Sequence, residues 1–208
     1  MLIDVLISNS ARPDALPLVL GELSKKFVGG EHTFRFVLFE YRVGKQNRIQ
    51  QQASYTWLRK HRKLFDEIVL VNRDIENDLW FKDLVDRSKA DYFIHIEGEC
   101  PLISNILLDV VVDIMMSNDD ITQIVFNNGE ITKEHIVGTE EVDGLKFGEL
   151  NFFSRSSGVF NTELVRNMFN FIKEKDLSFN HVDLAKAAKE LGYKNYVLAD
   201  RKQHIDLI

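Results

Sequence analysis

Apolar runs rich in valine, isoleucine, leucine and phenylalanine recur along the chain at Leu2 to Ile7, Phe34 to Phe39, Ile68 to Val71, Tyr92 to Ile96 and Ile121 to Phe126. Short runs of this composition predict buried strands. Between the first two, Leu16, Leu20, Leu23 and Phe27 recur at helical spacing within Pro13 to Phe27, with proline near the start and Gly29-Gly30 after the end. That punctuation predicts a helix. Ile49, Ala53 and Trp57 predict the packing face of a second helix, Leu79 to Val85 a third, and Ile103, Ile106, Leu107, Val110 and Ile114 a fourth. Alternation of strand and helix predicts an α/β fold, a mainly parallel mixed sheet flanked by helices, because each crossover must carry the chain back before the next strand begins. Ligands of such sheets bind at the carboxyl ends of the strands.

After Asn127 the pattern weakens. Gly129, Gly138, Gly144 and Gly148 punctuate a stretch that ends in Asn151-Phe-Phe-Ser-Arg-Ser-Ser-Gly158, and loops with short strands are expected there. Helical spacing returns at Leu184, Ala187, Ala188 and Leu191, with Gly192 as the stop signal, before a short strand at Tyr196 to Leu198. A length of 208 residues fits a single domain over 1–208, with 1–116 as a nucleotide-binding half and 117–208 as an acceptor-side half.

Composition narrows the partners. With 45% hydrophobic and 28% charged residues the chain can bury a sizeable core. A net charge of -6 argues against nucleic acid, whose nonspecific binding rests on lysine and arginine neutralising phosphates. One cysteine, Cys100, can form neither an internal disulfide nor a cysteine-rich zinc site. Leu102 to Met116 is interrupted by Ser104, Asn105, Asp109 and Asp113, so no transmembrane segment is predicted, and the first residues lack the basic flank of a signal peptide. A cytoplasmic location is therefore expected; a homo-oligomer is compatible with all of these features.

The segment richest in chemistry is Asp91-Tyr-Phe-Ile-His-Ile-Glu-Gly-Glu-Cys-Pro101, an apolar strand that stops at Glu97 and Glu99 around a glycine. Carboxylates at a strand end can hold a hard divalent cation, and such a cation screens a departing diphosphate. A solvated turn is the ordinary alternative. Gly98 would let the backbone turn tightly. The dinucleotide glycine signature and the phosphate-loop lysine motif are both absent. His95, on a strand face with Phe93 and Glu97, is expected as a hydrogen-bonded interior histidine. Met115 and Met116 are expected to pack, and Arg155 could meet a phosphate or sugar from a serine-rich turn. The run Arg59-Lys-His-Arg-Lys63 is either the solvated end of its helix or a patch for an anionic group.

With Glu97-Gly-Glu99 at the end of a central strand and a proline next, the chain resembles A-type nucleotide-sugar glycosyltransferases, which have an Asp-any-Asp motif there. Asn9-Ser-Ala-Arg-Pro13 after the first strand, Glu40 ending the second, Gln46-Asn-Arg48, Ser157-Gly-Val-Phe160, and His181-Val-Asp-Leu184 with Leu191-Gly-Tyr193 follow that family's order. The resemblance implies a nucleoside diphosphate sugar donor, a hydroxyl-bearing acceptor (sugar, lipid or protein) and Mn2+ or Mg2+ as cofactor. It implies donor contacts from Asn9, Arg12, Glu97, Glu40 beside the base or ribose, and Arg48 facing the diphosphate. It implies metal ligands in Glu97, Glu99 and His204, and, if the reaction inverts the anomeric centre, a base in His181 or Asp183. Ser157 to Phe160 would form an acceptor-side turn.

Each residue also has a plainer reading. Glu40 can be a loop acid, Arg48 a first-turn helix residue, His204 a solvated terminal side chain, and Asp183 the partner of a helix cap at Asn180. Glutamates stand where the family has aspartates, and their extra methylene requires a wider bay for the cation. A nucleotidyltransferase on a related sheet is a second expectation, though the loop after the first strand lacks the glycines it would need. A non-catalytic binding or structural module is a third.

Overall fold

The computed structural model describes residues 1–23, 32–42, 48–74, 79–98, 108–126, 131–142 and 144–198, with backbone only at 42 and 72–74. Backbone contacts group the chain into two compact units, Met1–Ile103 and Ser104–Ile208.

The first unit contains β1 (Leu2–Asn9), α1 (Leu16–Leu23), β2 (Thr33–Arg42), α2 (Arg48–Lys60), β3 (Glu67–Asp74), α3 (Trp80–Arg87) and β4 (Tyr92–Glu97). Its strands lie in the order β3-β2-β1-β4, and every pair in that row is parallel. The strand expectations for β1 to β4 are borne out, each strand being one to four residues longer than its apolar run. Parallel strands buried on both faces need apolar side chains in both directions. Ile3, Val5, Leu6 and Ile7 of β1 and Phe93, Ile94 and Ile96 of β4 accordingly have no exposed surface. Asp4 is an exception inside β1. Its carboxylate takes two bonds from the Arg35 guanidinium, 2.7 and 2.8 Å, and further ones from Ser88 Oγ and the backbone N–H of Lys89. The acid thereby ties the turn before β4 to the amino end of the sheet.

Helix α2 is rotated from the expected orientation, with Trp57 of the expected face half-buried and the rest of that face outward. Ile49 is 87% exposed and Ala53 is exposed, whereas Ser54 and Leu58 are buried and Gln51 half-buried. The helix turns a partly polar face inward because the sheet beneath it carries Glu40, which needs donors. Of the face expected for the fourth helix, Val110 is 39% exposed and Ile114 is buried, while Ile103, Ile106 and Leu107 lie outside the described residues.

The second unit contains α4 (Leu108–Met116), β5 (Ile121–Phe126), β6 (Ile136–Val142), β7 (Leu145–Leu150), β8 (Gly158–Asn161), α5 (Thr162–Glu174), α6 (His181–Glu190) and β9 (Lys194–Leu198). The strands run β8-β5-β9-β7-β6, with β5 and β9 parallel and the other pairs antiparallel. The α/β class with a mixed sheet and flanking helices is therefore the one observed. Two local expectations are corrected. Ser157 to Phe160 is no turn: Gly158–Asn161 is a strand against β5, so close that a Cβ on Gly158 would lie 2.8 Å from Ile124 O and Val125 Cα. The weak pattern between 127 and 181 also conceals α5, whose apolar face of Val165, Met168, Phe169 and Ile172 is buried. Gly192 does end α6, at φ +75°, with Tyr193 N–H donating to Ala188 O at 2.8 Å. Of the two methionines on α4, Met115 packs fully and Met116 is 42% exposed. No described helix is long and apolar enough to cross a membrane.

Candidate functional site

The strand order of the first unit locates a crevice. From β1 the chain moves outward to β2 and β3, then returns to place β4 on the other side of β1. The direction of winding reverses between β1 and β4, and in open α/β sheets the crevice at the carboxyl ends of two such strands is where ligands bind. Those ends are Ser8-Asn9 and Glu97-Gly98.

Gly98 closes the gap between them. Its N–H donates to Ser8 O at 2.7 Å, and a Cβ there would meet Ser8 O and Asn9 Oδ1, each at 2.9 Å. The glycine is required for close approach of two strands rather than for the tight turn its neighbours suggest.

Asn9 and Glu40 are partners in the β1–β2 register, so both side chains leave the same face of the sheet, the one α2 covers. Asn9 Nδ2 donates to Glu40 Oε2 at 2.5 Å and to Ser54 Oγ at 3.4 Å, and Gln51 Nε2 donates to Glu40 Oε1 at 3.0 Å. The Ser54 hydroxyl and the backbone N–H of Ala11 also bond this carboxylate. Ala11 sits at φ +57°, a conformation uncommon for a residue with a Cβ. The buried acid thus holds the bend of the chain after β1. Burial is the largest influence on Glu40 and pushes its pKa above the ordinary carboxylate value, with the bonds from Asn9, Ser54, Ala11 and Gln51 pulling the other way. With 1% of its surface exposed, Glu40 is occupied by protein donors. Asn9 is different: its Oδ1 is buried and has no hydrogen-bond partner among the described residues. A buried acceptor without a donor costs free energy unless something supplies one.

Glu97 leaves the opposite face, beside Ser8 and His95. Ser8 Oγ and His95 Nε2 are 2.9 Å apart, and His95 rests against Trp80 and Phe81 of α3. His95 is therefore the interior, hydrogen-bonded histidine expected. Glu97 is half-buried at the strand end.

Of the cationic residues expected at the donor, Arg12 pairs with Asp14 at 3.3 Å and holds that carboxyl below its ordinary pKa. Arg48 is the exposed first residue of α2. Glu99 and His204 lie outside the described residues, so Glu97 is the described member of the expected metal set. Among the described residues no group of three histidine, cysteine, aspartate or glutamate side chains could hold a metal ion. The described donor set does not by itself fit a resident cation.

In the second unit, His181 is the exposed first residue of α6 and Asp183 lies half-buried in the same turn. Asn180 caps the helix, accepting from the N–H groups of Val182 and Asp183 at 3.0 and 2.8 Å. Asp183 Oδ2 accepts from Ser178 N–H and Asn180 Nδ2, each at 3.0 Å. The cap partnership for Asp183 is the arrangement present.

No protein-family model matches the chain, and no curated protein sequence matches it. Its fold is similar to that of S. aureus TarS. The TM-score is 0.58 at 12% identity, covering 97% of this chain and 36% of that one. Against TarS 1-349 in complex with UDP and with UDP-GlcNAc the TM-score is 0.55 at 13% identity, covering 97% of this chain and 59% and 57% of those chains. The chain thus spans between 36% and 59% of the length of these structures, and at this identity the likeness is one of fold alone.

Ser54, Gln51 and the approach role of Gly98 were beyond the reach of the sequence motifs. Gln51 and Ser54 stand three apart on one helix face, a signal that becomes readable once Glu40 is known to be buried.

Proposed function

We propose that this chain is a glycosyltransferase that moves a sugar from a nucleoside diphosphate donor to a hydroxyl acceptor. The observation that carries the reading is the fold likeness across 97% of the chain to structures holding UDP and UDP-GlcNAc. The crevice between β1 and β4 supports it, since Asn9 Oδ1 offers a buried acceptor to an N–H or O–H of a nucleoside. In this reading Asn9 and Glu97 meet the donor directly, Arg12 and Arg48 face its diphosphate, and Glu40 acts through Asn9 and the bend at Ala11.

A Mn2+ or Mg2+ ion bound through Glu97, Glu99 and His204 would supply charge neutralisation for the leaving diphosphate. Each residue's own part is independent of that supply: Arg48 is solvent-facing at a helix start, where the helix N-terminus adds positive potential. If the transfer inverts the anomeric centre, His181 is better placed chemically than Asp183 to take the acceptor proton, because Asp183 already accepts two hydrogen bonds.

Calorimetry with UDP and GDP, with and without Mn2+, followed by hydrolysis of a panel of UDP- and GDP-sugars, tests the reading. A nucleoside diphosphate should bind, one sugar nucleotide should turn over, and Glu97→Gln should lower turnover about a hundredfold. Pyrophosphate release from a nucleoside triphosphate and sugar phosphate would show a nucleotidyltransferase instead. Donor binding without turnover of any sugar nucleotide would show a binding module.

A further inference from the structure

The end of α2 and the outer strand β3 enclose an open groove of about 470 Å³ lined by Tyr55, Leu58, Arg59, Arg62, Ile68 and Leu70. Its walls are apolar and its rim is cationic. Leu70 is 63% exposed on the strand, and Leu64, in the short turn at Arg62–Leu64, is 53% exposed. Arg59, Lys60, Arg62 and Lys63 are all exposed within five positions of Leu64 along the chain, and Arg59 and Arg62 line the groove with Leu70. Arg59, Lys60 and Lys63 have no ion pair among the described residues, although the chain as a whole carries a net charge of -6. The nearby acids are committed elsewhere: Asp66 Oδ2 accepts from Phe36 N–H at 2.7 Å, and Glu67 pairs with Arg87 at 3.7 Å.

Arg62 is fixed in place, donating to Phe65 O at 2.6 Å and to Asp66 O at 3.3 Å. These bonds hold the turn so that Leu64 projects. His61 reinforces it by bonding Trp57 O at 2.8 Å and stacking on the Trp57 ring. Unpaired cations around projecting apolar tips are complementary to an anionic bilayer, whose headgroups meet the lysines and arginines while leucines enter the interface.

We infer that this basic, leucine-tipped face is a docking surface for an anionic lipid bilayer. Helix α2 begins beside the carboxyl ends of the strands, where Gln51 bonds Glu40, and its 13 residues carry the chain roughly 20 Å toward the opposite end. Leu70 is the exception: it pairs in register with Glu40, so its part of the groove lies level with the crevice end of the sheet. The inference is independent of the glycosyltransferase reading and needs no catalysis.

Cosedimentation of the full chain with phosphatidylcholine vesicles, with and without phosphatidylglycerol, tests it. The chain should pellet with the anionic vesicles alone and be released as salt rises. The variant Arg59→Glu/Lys60→Glu/Lys63→Glu should bind them about tenfold more weakly or worse, with an unchanged circular dichroism spectrum. Leu64→Ser/Leu70→Ser should weaken binding while keeping its salt dependence. Charge reversal at Lys173 and Lys175, at the end of α5, should leave it unchanged. Equal binding to neutral vesicles, no binding to either, undiminished binding by the folded triple variant, or full release by soluble glycerol phosphate would each overturn it.

Discussion

At the residue scale, Glu40 makes a prediction about pH. Burial raises its pKa above the ordinary value of 4.5, so the folded state holds the proton more tightly than the unfolded chain does. The stabilising contribution of protonated Glu40 is complete below the unfolded value and lost as pH rises through the folded one. Wild type should therefore gain stability relative to Glu40→Gln as pH falls from neutrality toward 4.5, because glutamine does not titrate. Urea unfolding of both proteins across that range checks the slope; a difference that stays flat, or grows with rising pH, shows that Glu40 is not held against ionisation. The same residue shows what sequence can reveal. An acid at the end of a strand is visible as a pattern, and so is the Glu97-Gly98-Glu99 segment. That Glu40 turns inward to Asn9, Ser54, Gln51 and Ala11 depends on a helix packing over it, which no local pattern encodes.

At the scale of elements, hydrophobic patterning located the strands well and helix faces less well. Strands of a parallel sheet are buried on both sides, so their runs are unbroken and unambiguous. For α2, Ile49 and Ala53 of the apolar line Ile49, Ala53 and Trp57 face outward and Trp57 is half-buried, because buried polar groups outweighed a modest apolar stripe. Helix α5 escaped because Phe169 and Phe171, two apart, also satisfy a strand alternation. Its ends nonetheless carry clear signals. Asn161 caps the start, accepting from Leu164 N–H at 3.1 Å, and the chain leaves through Asp176 at φ +53°, with Leu177 N–H donating to Ile172 O at 2.9 Å. That exit geometry suits glycine better than a residue with a Cβ. Asn161→Ala should cost about 1 kcal/mol by losing the cap. Asp176→Gly should add about 0.5–1 kcal/mol by relieving the left-handed backbone. Chemical denaturation of the two variants measures both; the same sign for the two would contradict this account of the helix ends.

At the scale of the whole molecule, an acidic chain must concentrate its positive potential locally if it is to take the anionic donor proposed for it. Arg12, Arg48 and the start of α2 are the described sources of it near the crevice, and Arg12 is already paired with Asp14 at 3.3 Å. Binding of a nucleoside diphosphate should then depend strongly on an added divalent cation, in contrast to a phosphate site built from lysines. Linkage turns this into a stability measurement. A ligand at about a hundred times its dissociation constant stabilises the folded state by about 2.7 kcal/mol, which for a chain of this length raises the melting temperature by several degrees, about 2–4 °C per kcal/mol. UDP with Mn2+ should produce such a rise, and either component separately should produce much less. Uridine, which has the base and ribose but no diphosphate, should give little shift under either condition. If the two compact units melt separately, the rise belongs to the transition of Met1–Ile103, which carries Asn9, Glu40 and Glu97. A shift confined to the other transition would place the nucleotide away from the β1–β4 crevice, and equal shifts with and without the cation would remove the metal from donor binding while leaving the crevice itself intact.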